Sequence, residues 1–418
     1  MITIERDLDQ LANDHFDVAI IGGGIYGACT LLEASRRGLK CVLIESEDFG
    51  GETSWNSLRI IHGGLRYLQN VNLRRFYRSV SEQAWWVQNF PDLVHPLPCL
   101  MPLYNRGLRR TNVLRAALKM NDAMATPIRR RFGVELGKSR ILTADETLDR
   151  YPRVQTEGLR GAAFWFDCVM SSPQRLLMEV LRWAASAGGK AVNYVRAEGL
   201  DVSANRVQGL LARCCVTGRE VHIASKCVIN CAGPHALDLE RQFAEKLGVG
   251  RKDSQPSNGA AGYRIQMARA FNVVVERPPL ATEAVAVNSN KNTYFCVPFP
   301  GGSEAGSPRM MIGTAHLPPS SRGCEPSDRE LTTFLRDVNS AVPNLELAVS
   351  DISRVLAGRL PSQNKGSQLP RKSPKISGIP GVIGFLSMEG VKYTTARSIA
   401  ELALQRVMGP IVLFLSHF

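Results

Sequence analysis

The residues that could do chemistry begin with three glycines. Gly22, Gly24 and Gly27 stand at G-x-G-x-x-G spacing, and Glu45 follows them. Gly22 permits a tight turn, Gly24 lets backbone N–H groups approach a pyrophosphate, and Gly27 lets a helix pack close to a strand. A carboxylate roughly 20 residues past the glycines is placed to accept hydrogen bonds from a ribose hydroxyl pair. The chemistry this predicts is the binding of an adenine dinucleotide.

Such a loop works only between particular elements. Asp17–Ile21 is an apolar, β-branched run and reads as a buried strand. Ala28–Arg37 is helix-compatible, and Lys40–Ile44 is a second strand that ends on Glu45. The pyrophosphate would then sit at the positive end of the helix.

Composition narrows the class. The chain has 418 residues, 44% of them hydrophobic, enough for a sizeable core in two interleaved domains. No apolar run approaches the roughly 18 residues that a spanning helix needs, and the N-terminus lacks the apolar core of a secretory signal. Ten cysteines stand without CxxC pairs or metal-ligand spacing. That predicts reduced thiols, a cytoplasmic location and no metal. The net charge of +13 suits an anionic substrate or membrane surface. No nucleic-acid motif accompanies it, so no nucleic-acid partner is expected.

Further along, residues 72–90 read as a helix with Phe76, Val80, Ala84 and Val87 on one face, and Pro91–Pro102 as an extended, proline-broken stretch. Arg106–Arg140 is strongly basic, including Arg109, Arg110, Arg115 and Arg129–Arg131: a solvated helical face, or a contact for anionic lipid at the inner membrane face. Thr143 and Glu146 form a capping-box pattern. Gly161–Asp167 reads as a strand and Pro173–Ser186 as an amphipathic helix. Val207–Cys215 and Val221–Ile223 read as a hairpin, and Lys226–Gly233 as a buried strand reaching the dinucleotide at Ala232. Residues 260–315 are strand-rich, 327–341 helical, Ser362–Ser377 a loop, and Gly381–Leu386 a last strand before a helix.

These elements predict an α/β protein with a Rossmann-type domain built from discontinuous segments and an inserted antiparallel-sheet substrate cap. The expected divisions are 1–90, a basic helical insertion at 91–155, a second part of the dinucleotide domain at 156–258, the cap at 259–355, and a closing part at 356–418.

Two longer motifs carry a resemblance. Thr53–Leu68, TSWNSLRIIHGGLRYL, and Gly390–Arg397, GVKYTTAR, resemble segments of the FAD-dependent glycerol-3-phosphate dehydrogenases, within the D-amino-acid-oxidase-like flavoproteins. The resemblance runs over nearly the whole chain, though the family's C-terminal helical domain is expected to be absent. It implies FAD as cofactor, held by Gly22, Gly24, Gly27, Glu45, Thr53, Ser54, Ser57, Gly63, Gly64, Ala232, Gly390 and Thr394. The antiparallel cap also favours FAD, because nicotinamide enzymes of this type continue with further βαβ units. The resemblance implies substrate contacts at Arg66, Tyr67, Lys392 and Arg371, cations suited to a phosphate or carboxylate. His62 is a candidate acid/base residue or a hydrogen-bonded structural histidine.

The family's A-G-x-R-P-L stands here as Ala357–Gly358–Arg359–Leu360–Pro361, with the arginine displaced by one residue, and His316 stands where the family has Asp. The reading is hydride transfer from a small, anionic polyol phosphate or hydroxy acid to flavin N5. The alternatives are oxidation of an amine or amino acid, and a flavin-binding protein with a degraded site. The electron acceptor is left open between a quinone and oxygen.

Overall fold

The computed structural model describes residues 4–68, 72–104, 110–249, 267–289, 292–299, 308–321, 323–342, 344–364 and 366–408. The chain starts with α1 (Leu8–Asn13), β1 (His15–Ile21), α2 (Ile25–Ser35) and β2 (Cys41–Ile44). There follow β3 (Ile60–Ile61), α3 (Leu65–Leu68), α4 (Leu73–Asn89), β4 (Val94–Pro102), α5 (Thr111–Arg131), β5 (Arg140–Leu142), α6 (Ala144–Arg150) and β6 (Ala162–Met170). The middle of the chain forms α7 (Pro173–Ser186), β7 (Lys190–Val192), β8 (Val195–Ser203), β9 (Arg206–Cys214), β10 (Glu220–Asn230) and α8 (Ala236–Lys246). Then come β11 (Met267–Val275), β12 (Ala284–Asn288), β13 (Thr293–Phe299), β14 (Arg309–Leu317) and α9 (Asp328–Ala341). The described chain closes with β15 (Ile352–Pro361), β16 (Lys375–Ser377), β17 (Phe385–Glu389) and α10 (Ala396–Met408).

Among the described residues these strands make two sheets. The first runs β16-β17-β10-β1-β2-β7, with β9 on β10 and β8 on β9, and β17, β10, β1, β2 and β7 are mutually parallel. β1 is buried on both faces, as a central parallel strand must be. Val18 and Ile20 face α2, α7 and α10, while Ala19 and Ile21 face the layer of Leu210, Ile223 and Phe243. The second sheet runs β15-β11-β14-β13-β12-β4-β6-β3 with β5 on β6, antiparallel except for β12 against β4. α9 covers it through Leu331, Phe334, Leu335 and Val338.

The predicted loop, flanking strands and most helices are present. α4 buries Phe76, Val80 and Ala84, and the α6 capping box forms with both reciprocal bonds. Three features differ from expectation. Pro91–Pro102 contains a regular nine-residue strand, β4. It tolerates Pro96 and Pro98 because β12 pairs with it only at Cys99 and Leu100, so those prolines face one partner strand rather than two. The expected hairpin arm and the strand reaching Ala232 are one continuous strand. β10 is antiparallel to β9 over 220–224 and parallel to β1 over 224–230. Finally, the sheets cut across two expected divisions. β6 pairs with β4 in the second sheet, and β15 carries that sheet on to Pro361, past the division at 356. The stretch 260–266 at the start of the predicted cap lies outside the described residues.

Candidate active site

The two sheets enclose a cleft of about 620 Å³. Gly22, Gly24, Glu45, Thr53, Ser54, Ser57, Ala232 and Gly390 all line it, as does Lys392. Gly22 and Gly27 are needed for the local reasons their spacing suggests. Gly22 has φ +101°, and a Cβ there would stand 2.6 Å from the Cys231 carbonyl oxygen. A Cβ on Gly27, within α2, would stand 1.8 Å from the Gly22 carbonyl oxygen, so the helix can approach the loop only without one. Gly24 is the N-cap of α2, and the Ile25 amide behind it donates to Ser54 Oγ at 3.0 Å.

Glu45 closes the loop from β2. Its Oε2 accepts from the Gly23 amide at 2.6 Å, and its Oε1 from the Glu47 amide at 2.8 Å. Thr53 ties this wall to the cap by donating to the Arg359 carbonyl at 3.1 Å, and Asn272 of β11 does so by donating to the Asn56 carbonyl at 3.1 Å. At the cleft wall His235 Nε2 lies 3.5 Å from Glu52 Oε1; the pairing raises the histidine's pKa and lowers the glutamate's.

The far wall is the turn Gly390–Lys392. The Tyr26 hydroxyl donates to the Lys392 carbonyl at 2.9 Å and accepts from the Val391 and Lys392 amides at 3.1 and 3.2 Å. Tyr26 was not legible as a site residue: it occupies a variable position of the glycine motif, and its partner is distant in sequence. Lys392 Nζ bonds the Tyr67 hydroxyl and lies 4.5 Å from the centre of that ring.

The other nominated residues lie apart from the cleft lining. Gly63 and Gly64 have no room for a side chain: a Cβ on Gly64 would stand 2.2 Å from the Phe76 ring, and one on Gly63 3.0 Å from Gln83 Oε1. Thr394 is buried and accepts from Trp86 Nε1 at 3.0 Å through its carbonyl. Arg371 pairs with the buried Glu389 at 3.2 Å. Arg66 lies on α3, and its side chain is outside the described residues. His62 is half-buried, with Nδ1 3.0 Å from Asp167 Oδ2. Asp167 is buried, which by itself raises its pKa, but bonds from His62, the Gly63 amide and Trp165 outweigh this and hold the carboxyl below its usual range.

A glycine-turn cradle at a helix N-terminus, a carboxylate at the end of the next strand and an elongated cleft fit a flavin dinucleotide. The fold and site thus define a dinucleotide-dependent oxidoreductase. The family described as FAD dependent oxidoreductase matches residues 17–406, and the chain belongs to it. FAD is its cofactor.

Among curated proteins, the chain is similar to the glycerol-3-phosphate dehydrogenase of Synechocystis sp., 27% identical over 97% of this chain and 72% of the relative. It is also similar to the aerobic glycerol-3-phosphate dehydrogenase of Bacillus subtilis, 27% identical over 96% and 68%. Two solved structures share the fold. One is the Bacillus halodurans glycerol-3-phosphate dehydrogenase complexed with FAD (TM-score 0.67, 21% identity, 96% of this chain and 66% of that one). The other is the P. horikoshii L-proline dehydrogenase (TM-score 0.66, 16% identity, 96% and 95%). The chain therefore spans about two thirds of the length of the glycerol-3-phosphate dehydrogenases it matches.

Proposed function

We propose that this chain oxidises a secondary carbinol of a small anionic polyol phosphate or hydroxy acid, with glycerol 3-phosphate the first candidate. The observation that carries the reading is the Lys392–Tyr67 pair, whose lysine lines the same cleft as the glycine loop. Bound FAD would supply the two-electron acceptor for the hydride. Gly22, Gly24, Glu45, Thr53, Ser54, Ser57, Ala232 and Gly390 would hold it, with Gly27, Gly63, Gly64 and Thr394 shaping the segments behind them. Lys392 and Arg66 would hold the substrate's anionic group, with Tyr67 orienting the ammonium. Arg371, matched by Glu389, contributes its field rather than a free charge. His62 does not itself line the cleft; it stands on the segment that leads to Tyr67, and from there it would accept the hydroxyl proton as the C–H electron pair leaves.

On the same reading, the first sheet and its helices form the cofactor domain and the second sheet the substrate cap. Contact with an anionic membrane surface belongs to the proposal too, since exposed Arg115, Lys119, Arg130 and Arg131 share α5 with exposed Val113 and Met120. No helix among the described residues is long and apolar enough to cross a membrane.

The test is anaerobic addition of polyol phosphates, hydroxy acids and amines to the holoenzyme while following the flavin band near ~450 nm. Bleaching by glycerol 3-phosphate or another carbinol supports the proposal. Bleaching by amines alone would move the activity to C–N oxidation.

A further inference from the structure

His62 rests on a buried polar assembly drawn from three separate elements. Asp167 of β6 takes His62 Nδ1 on one oxygen at 3.0 Å and the Gly63 amide on the other at 2.7 Å. Gln83 of α4 donates to the Ile61 carbonyl at 3.0 Å, and Ser79 of the same helix donates to the His62 carbonyl at 2.9 Å. Arg129 of α5 donates to Gln83 Oε1 at 2.9 Å. Asp167, Gln83 and Arg129 are 5%, 0% and 6% exposed. Burying an arginine and a carboxylate without direct pairing is expensive unless other bonds compensate. Arg129 has no ion-pair partner among the described residues and a buried Nε without a hydrogen bond. Packing of a turn does not require this.

We propose that Asp167, Gln83 and Arg129 are positioning residues that fix His62 as the Nδ1–H tautomer, leaving Nε2 free to accept a proton. This rests on the carbinol reading only for the proton's origin. The ionised Asp167 can only accept, so Nδ1 must carry the hydrogen. Arg129 can only donate, so the Gln83 amide is locked with its oxygen toward Arg129 and its NH₂ toward Ile61. The Ile61–Gly63 backbone is thereby held from α4, and the imidazole from β6. Phe295 of β13 also lies against the ring, 5.7 Å between centroids, and carries no charge. Among the described residues, the remaining titratable groups interacting with Asp167 and Arg129 are Cys99 on β4, Cys168 on β6 and Asp122 on α5. Burial raises both thiols and so favours their neutral form. In the reaction, the substrate O–H proton passes to Nε2, the O–H electron pair becomes the carbonyl π bond, and the C–H pair leaves as hydride to the oxidised flavin.

The decisive variant is Asp167→Asn. Its single carbonyl oxygen can satisfy the Gly63 amide, which turns the amide NH₂ toward Nδ1 and moves the imidazole hydrogen to Nε2. Nitrogen NMR of histidine-labelled holoenzyme, assigned with His62→Gln, reads this tautomer without any substrate. The expected result is Nδ1–H in the wild type and Nε2–H in Asp167→Asn, with flavin content unchanged and the rate of anaerobic flavin bleaching reduced roughly a hundredfold or more. Arg129→Met should mix the two tautomers and Arg129→Lys should restore Nδ1–H in part, which provides a second test if Asp167→Asn does not fold. An Nε2–H wild type, or a tautomer indifferent to both positions, overturns the proposal. If no carbinol bleaches the flavin, the substrate reading fails, while the tautomer result is decided separately.

Discussion

Tyr26 and Gly390 are in such close contact that a Cβ at residue 390 would stand 2.2 Å from the tyrosine ring. The ring lies on α2, directly behind the glycine loop, and Gly390 opens the turn that forms the far wall of the cleft. One side chain therefore sets the distance between the two walls.

Tyr26→Phe should leave the Val391 and Lys392 amides without their shared acceptor. Buried donors left unpaired cost about 1–3 kcal/mol. The expected outcome is a lower melting temperature and easier loss of FAD on dialysis. Gly390→Ala should lose FAD more completely, since the tyrosine must move. Unchanged flavin retention in both would disconnect this contact from the cofactor site.

Arg397 gathers carboxylates from three helices: Glu33 of α2 at 3.2 Å, Glu82 of α4 at 2.7 Å and Glu401 of α10 at 2.9 Å. Burial pushes Glu82 up to about 7, against the pull of Arg397. A carboxyl raised in the folded state favours folding in its protonated form. Its contribution is therefore present at low pH and is lost as pH rises from the ordinary carboxylate range through about 7. The slope for one group is at most about 1.4 kcal/mol per pH unit. Denaturant melts of wild type and Glu82→Gln between pH 5 and 8 should converge or cross, with the variant gaining relative stability as pH rises. A stability difference independent of pH would show Glu82 to be ionised throughout.

Much of the cofactor half was legible because it is local. The glycine loop, β1, α2, β2 and Glu45 form one short stretch whose periodicities switch where the chemistry requires, and Pro173 marks α7 at its first residue. The remaining parts depend on contacts far apart in sequence. Nothing near Tyr26 points to residue 391, and nothing near His62 points to Asp167, beyond an acid at the end of an apolar run. Arg129 reads as one more cation in a basic helix, yet it is buried and holds Gln83. That removes it from the membrane-facing set, and Arg109 lies outside the described residues.

The revised basic set is Arg110, Arg115, Lys119, Arg130 and Arg131, all exposed. Each cation near an anionic surface contributes about 1 kcal/mol, screened within a Debye length. Weak co-sedimentation with anionic vesicles is expected at low salt and its loss at high salt. Equal recovery in the supernatant with anionic and neutral lipid would remove the membrane from the account.

Arg66→Ala should raise KM for an anionic substrate by the equivalent of roughly 1–3 kcal/mol, the range for a lost charged hydrogen bond, with FAD content unchanged. An unaltered KM would take Arg66 out of the site. Arg371→Gln is expected to behave differently. Among the described residues it leaves the buried Glu389 with the more distant Lys375 alone, so its main effect should be on stability, and adding Glu389→Gln should restore the melting temperature.

On the proposed function, the chain holds FAD and passes it a hydride from a carbinol carbon. The direct measurement is a single anaerobic turnover of the holoenzyme with glycerol 3-phosphate, protonated or deuterated at C2, followed in the flavin band. Loss of the band is expected with either substrate, severalfold slower with deuterium. A band that persists with glycerol 3-phosphate and with other carbinols, or bleaching indifferent to deuterium at the carbon oxidised, would contradict it.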